Sequence, residues 1–132
     1  VAFGPSNRAN HKLRMNRKGK QIAIRSAFST HAKNKSLLVF EGFEVGSEKH
    51  TQTLAKVFEK TKITGKTLIV QAELNNDLIK AASNLPNVDT DVVNSISAYQ
   101  LLKYKNVVIT PETVEKISEF WGTKLSKSKS EK

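Results

Sequence analysis

The chain has 132 residues, with 22 lysines and arginines against 12 acidic residues, so its formal net charge is +10. This length fits one domain, and a hydrophobic content of 38% is too high for a wholly disordered chain. Disulfides, thiolate zinc sites and cysteine nucleophiles are excluded because there is no cysteine. The apolar runs, such as residues 37–40 and 67–70, are far shorter than the ~20 residues of a membrane span, which predicts a soluble protein.

The first predicted element is a helix over residues 17–33, where apolar side chains recur with helical spacing. Its core-facing positions are Ile24, Ala27, Phe28 and His31. A second row on the same helical wheel would form a cationic, hydrogen-bonding strip along one flank: Lys18, Gln21, Arg25 and Ser29. The helix is therefore expected to join the core to a phosphate-binding edge.

Two strands and a helix are predicted next. Residues 37–40 are an apolar run too short for a helix, which predicts a buried strand, and residues 42–46 a loop. Ser47 is expected to cap a helix that runs to about residue 62 and stops at Gly65. Its predicted inward face is Leu54, Val57, Phe58 and Thr61. Residues 67–70 are the second predicted strand.

The remaining elements continue this alternation. A helix is predicted to begin at Asn75 or Asn76 and to end before Pro86, and residues 88–93 form the third strand. Ser95 would cap a short helix whose inward residues are Ala98, Leu101 and Leu102. Residues 107–109 form the fourth strand, and Thr110 with Pro111 starts the last helix. The core face predicted for that helix is Val114, Ile117, Phe120 and Trp121.

One helix followed by four strand and helix units predicts an α/β fold. We expect a three-layer Rossmann-like domain with a mostly parallel sheet of about four strands and right-handed crossovers. The expected organisation is a basic RNA-binding arm over residues 1–16, the α/β domain over residues 17–122 and a lysine-rich flexible tail over residues 123–132. The tail has no apolar anchors and should be mobile unless a partner orders it.

The charge is distributed unevenly along the chain. Residues 1–36 contain nine cations and no acid, whereas residues 37–122 have a net charge of −2 and residues 123–132 a net charge of +3. A solvated protein face usually mixes both signs, so the first segment predicts a polyanionic partner. Its asparagines, His11 and Phe3 suit contacts with phosphate, sugar and bases better than a membrane surface.

Motifs for catalysis or cofactor binding do not fit. The triplet Gly65-Lys66-Thr67 resembles the end of a phosphate-binding loop, but it precedes a predicted strand and lacks the earlier glycine. The glycines at 42 and 46 do not have dinucleotide-binding spacing. The three histidines belong to no metal motif, and His31 is expected near the core as a helix-face residue. We predict no enzyme, no cofactor, no metal and no small-molecule substrate.

Several segments resemble the universal large-subunit ribosomal protein four family. The first runs from Phe3-Gly4-Pro5 through residues 12–18 to residues 24–29. Two later segments are Asn84-Leu85-Pro86-Asn87-Val88 and Leu101-Leu102-Lys103-Tyr104, the latter followed by residues 107–110. They come in the family's order and span about residues 3–120, so the resemblance is specific.

The resemblance implies a structural constituent of the large ribosomal subunit, bound to ribosomal RNA near the peptide exit tunnel. The expected setting is a cytoplasmic bacterial ribosome, or an organellar one, with ribosomal proteins as neighbours. Members carry an N-terminal strand and a Gly- and Arg-rich tunnel loop before this stretch, so no tunnel-wall contact is assigned to a residue here. Because the chain opens with Val1, we expect a processed or truncated start, and the tail after Trp121 resembles an extension.

The predicted RNA ligands lie in the acid-free segment, where arginines can contact phosphates in a bidentate manner or stack on bases. They are Arg8, His11, Lys12, Arg14, Asn16, Arg17, Lys18, Lys20, Arg25, Lys33 and Lys35. A regulator that binds mRNA or DNA remains an alternative, because a basic arm does not by itself distinguish nucleic acids. A nucleotide-dependent enzyme on the same fold would instead bind a mononucleotide at the carboxyl ends of the strands.

Overall fold

Four parallel strands alternate with five helices in the computed structural model, which describes residues 2–43 and 50–122. The elements are α1 (Arg17–Lys33), β1 (Leu37–Val39), α2 (His50–Lys60), β2 (Thr67–Gln71), α3 (Asn76–Ser83), β3 (Val88–Val92), α4 (Ala98–Lys103), β4 (Asn106–Ile109) and α5 (Pro111–Trp121). The strand order is β1-β4-β2-β3, with every pairing parallel. This confirms the predicted three-layer Rossmann-like α/β fold.

The two central strands supply the core on both faces of the sheet. Leu68 and Val70 of β2 lie in one hydrophobic cluster, together with α1, α4 and α5, while Ile69 lies in another with α2 and α3. Strand β4 alternates in the same way, and all five residues of β2 are buried. Burial on both faces explains why these strands are continuous apolar runs in the sequence.

Strand β1 is less buried than predicted. It forms one edge of the sheet and pairs only with β4, and its side chains are half-buried at Leu37 and Leu38. Val39 is 56% exposed, and Phe40 lies beyond the strand. The prediction of a fully buried strand was wrong because a short apolar run does not reveal an edge position.

Helices α1 and α2 end in the same type of turn. Lys35 and Lys62 adopt left-handed backbone conformations, with φ of 56° and 52°. The next residue donates back across the last turn in each case, from the Ser36 amide to the His31 carbonyl and from Ile63 to Phe58. Lys62 therefore ends α2 where Gly65 was expected to do so. The predicted cap at Ser47 and the tail over residues 123–132 lie outside the described residues.

Three further predictions, the cap of α4 and the inward faces of α4 and α5, are corrected by the structure. Ser97, not Ser95, caps α4 in a reciprocal arrangement with Gln100, and Leu102 is 63% exposed. In α5, Val114 and Phe120 are about 40% exposed. The inward row of α5 is Thr113, Ile117 and Trp121, at four-residue spacing. The Thr113 hydroxyl donates to the Val70 carbonyl and the Trp121 indole to the Val93 carbonyl, so α5 lies across the ends of β2 and β3.

His31 joins α1 to the end of α4 and is structural, as its position on the helix predicted. The ring is only 6% exposed, and its Nε2 atom lies 2.6 Å from the Leu101 carbonyl oxygen. A carbonyl can only accept, so Nε2 donates, and Nδ1 lies 2.7 Å from the Ser36 hydroxyl. The segment Leu101-Leu102-Lys103-Tyr104 is therefore held at its first residue by α1.

No helix within residues 2–43 and 50–122 is long and apolar enough to cross a membrane.

We expect His31→Leu to lower the free energy of unfolding by about 1–3 kcal/mol, because the buried Leu101 carbonyl loses its donor. Urea denaturation followed by circular dichroism measures this change. Lys33→Ala, at an exposed position of the same turn, serves as the control and should change stability by about 0.5 kcal/mol or less. A His31→Leu midpoint equal to that of the unmodified chain would contradict the role of the histidine.

Tyr104 predicts a loss of stability at high pH. Its buried phenol donates to the Asp89 carboxylate, and this hydrogen bond, with burial and the charge of Asp89, raises the pKa of Tyr104 to about 12. The folded state therefore favours the neutral phenol, and this contribution is present below pH ~10 and is lost as the pH rises towards 12. The variant Tyr99→Phe leaves Tyr104 as the only tyrosine of the sequence, and its tyrosinate absorbance should appear near pH 12. The variant Tyr104→Phe should lose less stability at high pH than the unmodified chain, because it lacks the phenol that ionises.

Candidate nucleic-acid interface

Residues 2–16 precede the first helix and are exposed along their whole length. Short local turns shape them, with the Ser6 hydroxyl accepting from the Arg8 amide and the Asn10 side chain accepting from the Lys12 amide. Even the large apolar side chains are exposed here, at 94% for Phe3 and 85% for Leu13. In this segment, which we call the N-terminal arm, cations and apolar groups are thus both exposed to solvent.

The cations continue from the N-terminal arm into the first turn of α1. Arg17, Lys18 and Lys20 are exposed there, and the turn contains no acidic residue. Asn16 occupies the N-cap position, but its side chain makes no capping hydrogen bond. A helix N-terminus already carries partial positive charge and free amide groups, so three cations beside it are locally unfavourable without an anion. Such an arrangement is favourable for an anion.

Arg25 is half-buried and partly engaged by its own helix. Its Nε atom donates to the Gln21 carbonyl at 3.3 Å, and the Arg25 carbonyl accepts from Ser29. Gln21 is also half-buried, whereas Lys18 and Ser29 are exposed. The predicted cationic strip is therefore present on α1, but part of its hydrogen-bonding capacity serves the helix itself.

Lys33 and Lys35 lie far from the other predicted RNA ligands. They are exposed at the C-terminal end of α1, about 24 Å along the helix axis from Arg17. Cations at this end also stabilise the helix by interacting with its last carbonyls. The structure therefore separates the eleven predicted residues into eight in the N-terminal arm and the first turn of α1, Arg25 in the middle of the helix, and Lys33 and Lys35 at its end.

The edge of the sheet where Rossmann-like folds bind nucleotides has the wrong charge for a phosphate. A groove of about 990 Å³ lies at the carboxyl ends of β2 and β4, bordered by α3 and α5. Its lining includes two lysines and six carboxylates, a formal charge of −4: Glu41, Glu73, Asp77, Glu112, Glu115 and Glu119. The rival hypothesis of a nucleotide-dependent enzyme is therefore disfavoured. No sequence motif predicted this acidic groove. The signal that could have predicted it is the spacing of three glutamates on successive turns of α5.

Metal-binding clusters are absent from the described residues: no group of three or more histidine, cysteine or acidic side chains is arranged to hold an ion.

The Gly65-Lys66-Thr67 triplet leads into β2, as expected, with Thr67 as the first residue of the strand. Gly65 has a positive φ of 95° and lies beside the Lys105 side chain. The Asn84-Leu85-Pro86-Asn87-Val88 motif is structural, since Asn87 is left-handed and its carbonyl accepts from the Thr67 amide.

Comparison with known proteins confirms the resemblance. Relatives named large ribosomal subunit protein uL4 occur in Alkaliphilus metalliredigens (strain QYMF), with 34% identity over 92% of this chain and 58% of the relative, and in Phytoplasma australiense, with 33% identity over 90% and 56%. A third relative, from Magnetococcus marinus (strain ATCC BAA-1437 / JCM 17883 / MC-1), is 32% identical over 90% of this chain and 56% of the relative's length. The chain thus spans just over half the length of these relatives.

The family model described as the ribosomal protein L4/L1 family matches residues 1–120. That match covers the N-terminal arm and the described elements from α1 to α5, apart from Trp121 at the end of α5. This chain therefore belongs to the ribosomal protein L4/L1 family.

Proposed function

We propose that this chain is a structural constituent of the large ribosomal subunit and binds its RNA without catalysing a reaction. Its relatives carry the name of a large-subunit protein, and the family match supports the same assembly for this chain. The proposed partners are large-subunit ribosomal RNA and neighbouring ribosomal proteins. A position near the peptide exit tunnel rests on the family resemblance, and a bacterial cytoplasmic ribosome on the bacterial origin of the relatives.

The observation that carries RNA binding is the series of exposed cations from Arg8 to Lys20, which no acidic residue interrupts anywhere in the first 36 positions. Each cation that neutralises a phosphate releases condensed counterions, and this release drives binding. The eleven proposed RNA ligands are Arg8, His11, Lys12, Arg14, Asn16, Arg17, Lys18, Lys20, Arg25, Lys33 and Lys35.

The start of α1 is the centre of the proposed interface. A phosphate there would accept from the first-turn amides, which the Asn16 side chain leaves uncapped, and would neutralise the cations of that turn. Binding thereby relieves an unfavourable charge arrangement in the free protein. The α/β domain fixes the direction of α1 through buried Ile24, Ala27 and His31, so the N-terminal arm leaves the domain at a defined point.

The N-terminal arm itself is proposed to acquire its final conformation on RNA. Its residues are all exposed, so the domain offers it no apolar anchoring, and ordering it costs conformational entropy. Phosphate contacts and stacking of groups such as Phe3 on unpaired bases would offset that cost. A regulator that binds mRNA would use the same surface.

Reversing two charges at the start of the interface tests the proposal. We expect Arg14→Glu with Arg17→Glu to leave the circular dichroism spectrum unchanged but to weaken binding to large-subunit RNA at least tenfold. The slope of log affinity against log salt should become shallower by roughly 1.5, since each lost phosphate contact contributes about 0.7–0.9. In a cell lysate, the unmodified chain should sediment with the large subunit through a moderate-salt wash, and this variant should not.

The matched control is Lys56→Glu with Lys60→Glu, which makes the same charge change at exposed positions of α2. It should retain RNA binding and sedimentation with the subunit. Equal losses in both double variants would mean that net charge alone governs binding and would refute this interface. If the unmodified chain stays at the top of the gradient and binds duplex DNA as tightly as ribosomal RNA, the ribosomal role is wrong.

Two N-cap asparagines separate a binding role from a folding role. Asn75 accepts from the amides of Asp77 and Leu78, so Asn75→Ala should lower stability by about 1 kcal/mol and leave RNA affinity unchanged. Asn16 makes no capping bond, so Asn16→Ala should change stability by less than about 0.5 kcal/mol but weaken RNA binding. Thermal denaturation and RNA titration of both variants give the comparison, and unchanged affinity in Asn16→Ala would exclude this side chain as a ligand.

A further inference from the structure

The groove at the carboxyl edge of the sheet contains an acidic row whose carboxylates have no hydrogen-bond or ion-pair partner among the described residues. Glu112, Glu115 and Glu119 occupy successive turns of α5 along the groove. Within the described residues these three side chains make no ion pair or hydrogen bond, whereas Glu73 is paired with Lys116 at 2.7 Å. That pairing lowers the pKa of Glu73, mainly through the hydrogen bond from Lys116. The row therefore remains available to an external cation.

A second and independent feature lies on the floor of the same groove. Gln71, the last residue of β2, is only 6% exposed and lines the groove. Its Oε1 accepts from the Asn75 amide at 2.8 Å, which fixes the orientation of the side chain. The other end of the amide, Nε2, is buried and has no hydrogen-bond partner. An unpaired buried donor is costly and calls for an acceptor.

Together the two features define the chemistry of a ligand. The acidic row requires positive charge, and the Gln71 amide requires a hydrogen-bond acceptor close to it. A metal ion supplies only charge, and a phosphate or nucleic acid has the wrong sign for this groove. An extended peptide with basic side chains supplies both, because its backbone carbonyls accept while its lysines and arginines pair with carboxylates.

The spacing of the acidic row also fits an extended chain. Glu115 and Glu119, which are neighbours in the row, lie about 6 Å apart along the helix axis, since each residue of a helix advances by about 1.5 Å. In an extended peptide, side chains on one face recur every ~7 Å. Two basic residues at alternate positions would therefore reach neighbouring glutamates of the row, with a backbone carbonyl left to face Gln71.

We propose that this groove binds an extended, lysine- and arginine-rich segment of another protein. The interaction goes beyond RNA binding and does not depend on it, because it uses α5 and the end of β2 and not the N-terminal arm or α1. The carboxylates hold the basic side chains, and Gln71 Nε2 donates to the backbone of the segment.

The direct test measures the anisotropy of a fluorescein-labelled ten-residue peptide, alternating arginine and serine, with the 132-residue chain. We expect saturable binding that Glu115→Gln weakens two- to fivefold and that Glu112→Gln/Glu115→Gln/Glu119→Gln weakens at least tenfold. Glu59→Gln, which removes an exposed carboxylate of α2 outside the groove, is the matched control and should bind as the unmodified chain does. Equal losses in Glu115→Gln and Glu59→Gln would overturn the proposal.

Gln71→Met tests the hydrogen bond separately from charge. It should weaken peptide binding by a factor that persists as salt is raised, while the effect of Glu115→Gln should shrink under the same conditions. Circular dichroism and urea denaturation verify that Gln71→Met folds. If that variant is unfolded, competition by spermine decides the point: spermine has the charge but no carbonyl acceptor, so displacement of the peptide at equal charge concentration would overturn the role of Gln71.

Other occupants give different results in the same experiment. If removing residues 123–132 is required before the peptide binds, the chain's own lysine-rich tail occupies the groove and the proposal is wrong. Concentration-dependent self-association lost in the triple glutamine variant would point to a second copy and would also overturn it. Binding of ribosomal RNA should be unchanged in every groove variant, so failure of the peptide test leaves the proposed RNA-binding function intact, and the converse holds.

Discussion

Burial of β2 on both faces is the constraint on which the rest of the fold depends. Its residues alternate between two hydrophobic clusters, so helices must cover both sides of the sheet, and it pairs with β3 on one edge and β4 on the other. A strand in this position has no solvated face, which is typical of a parallel sheet built with crossover helices. Near the carboxyl end of β2, the Val70 carbonyl accepts a hydrogen bond from Thr113 and so anchors α5. Gln71, the last residue of the strand, lines the groove.

Much of this architecture follows from the sequence because double-sided burial leaves a distinctive pattern. Strands β2 and β4 were predicted within one residue, since a short run of apolar residues such as Leu68, Ile69 and Val70 favours a strand that is buried on both faces. The inward face of α1 was predicted equally well. The strand order β1-β4-β2-β3 could not be read, because pairing depends on which helices pack together and adjacent positions in the sheet leave no mark on local periodicity.

The errors in predicted burial have a common origin in elements that pack on one side only. β1 is an apolar run at the edge of the sheet, so Val39 faces solvent although its neighbours are half-buried. Helix α5 crosses the ends of the strands, and its inward row has four-residue spacing through Thr113, where the apolar residues of the sequence favoured Val114. A polar side chain that donates to a buried carbonyl packs as well as an apolar one, and hydrophobic periodicity does not detect it.

The strongly positive net charge conceals two surfaces of opposite sign. All the charge of the first 36 residues is positive and begins in an exposed arm, while the carboxyl edge of the sheet carries a local charge of −4. Coulomb repulsion keeps a nucleic acid out of the groove and a basic peptide off the N-terminal arm. The rigid domain keeps these surfaces distinct, because α1 and α5 are fixed by buried contacts to the same sheet. The proposed RNA and the proposed basic segment would therefore be separated by the sign of their charge, which a uniformly basic domain could not do.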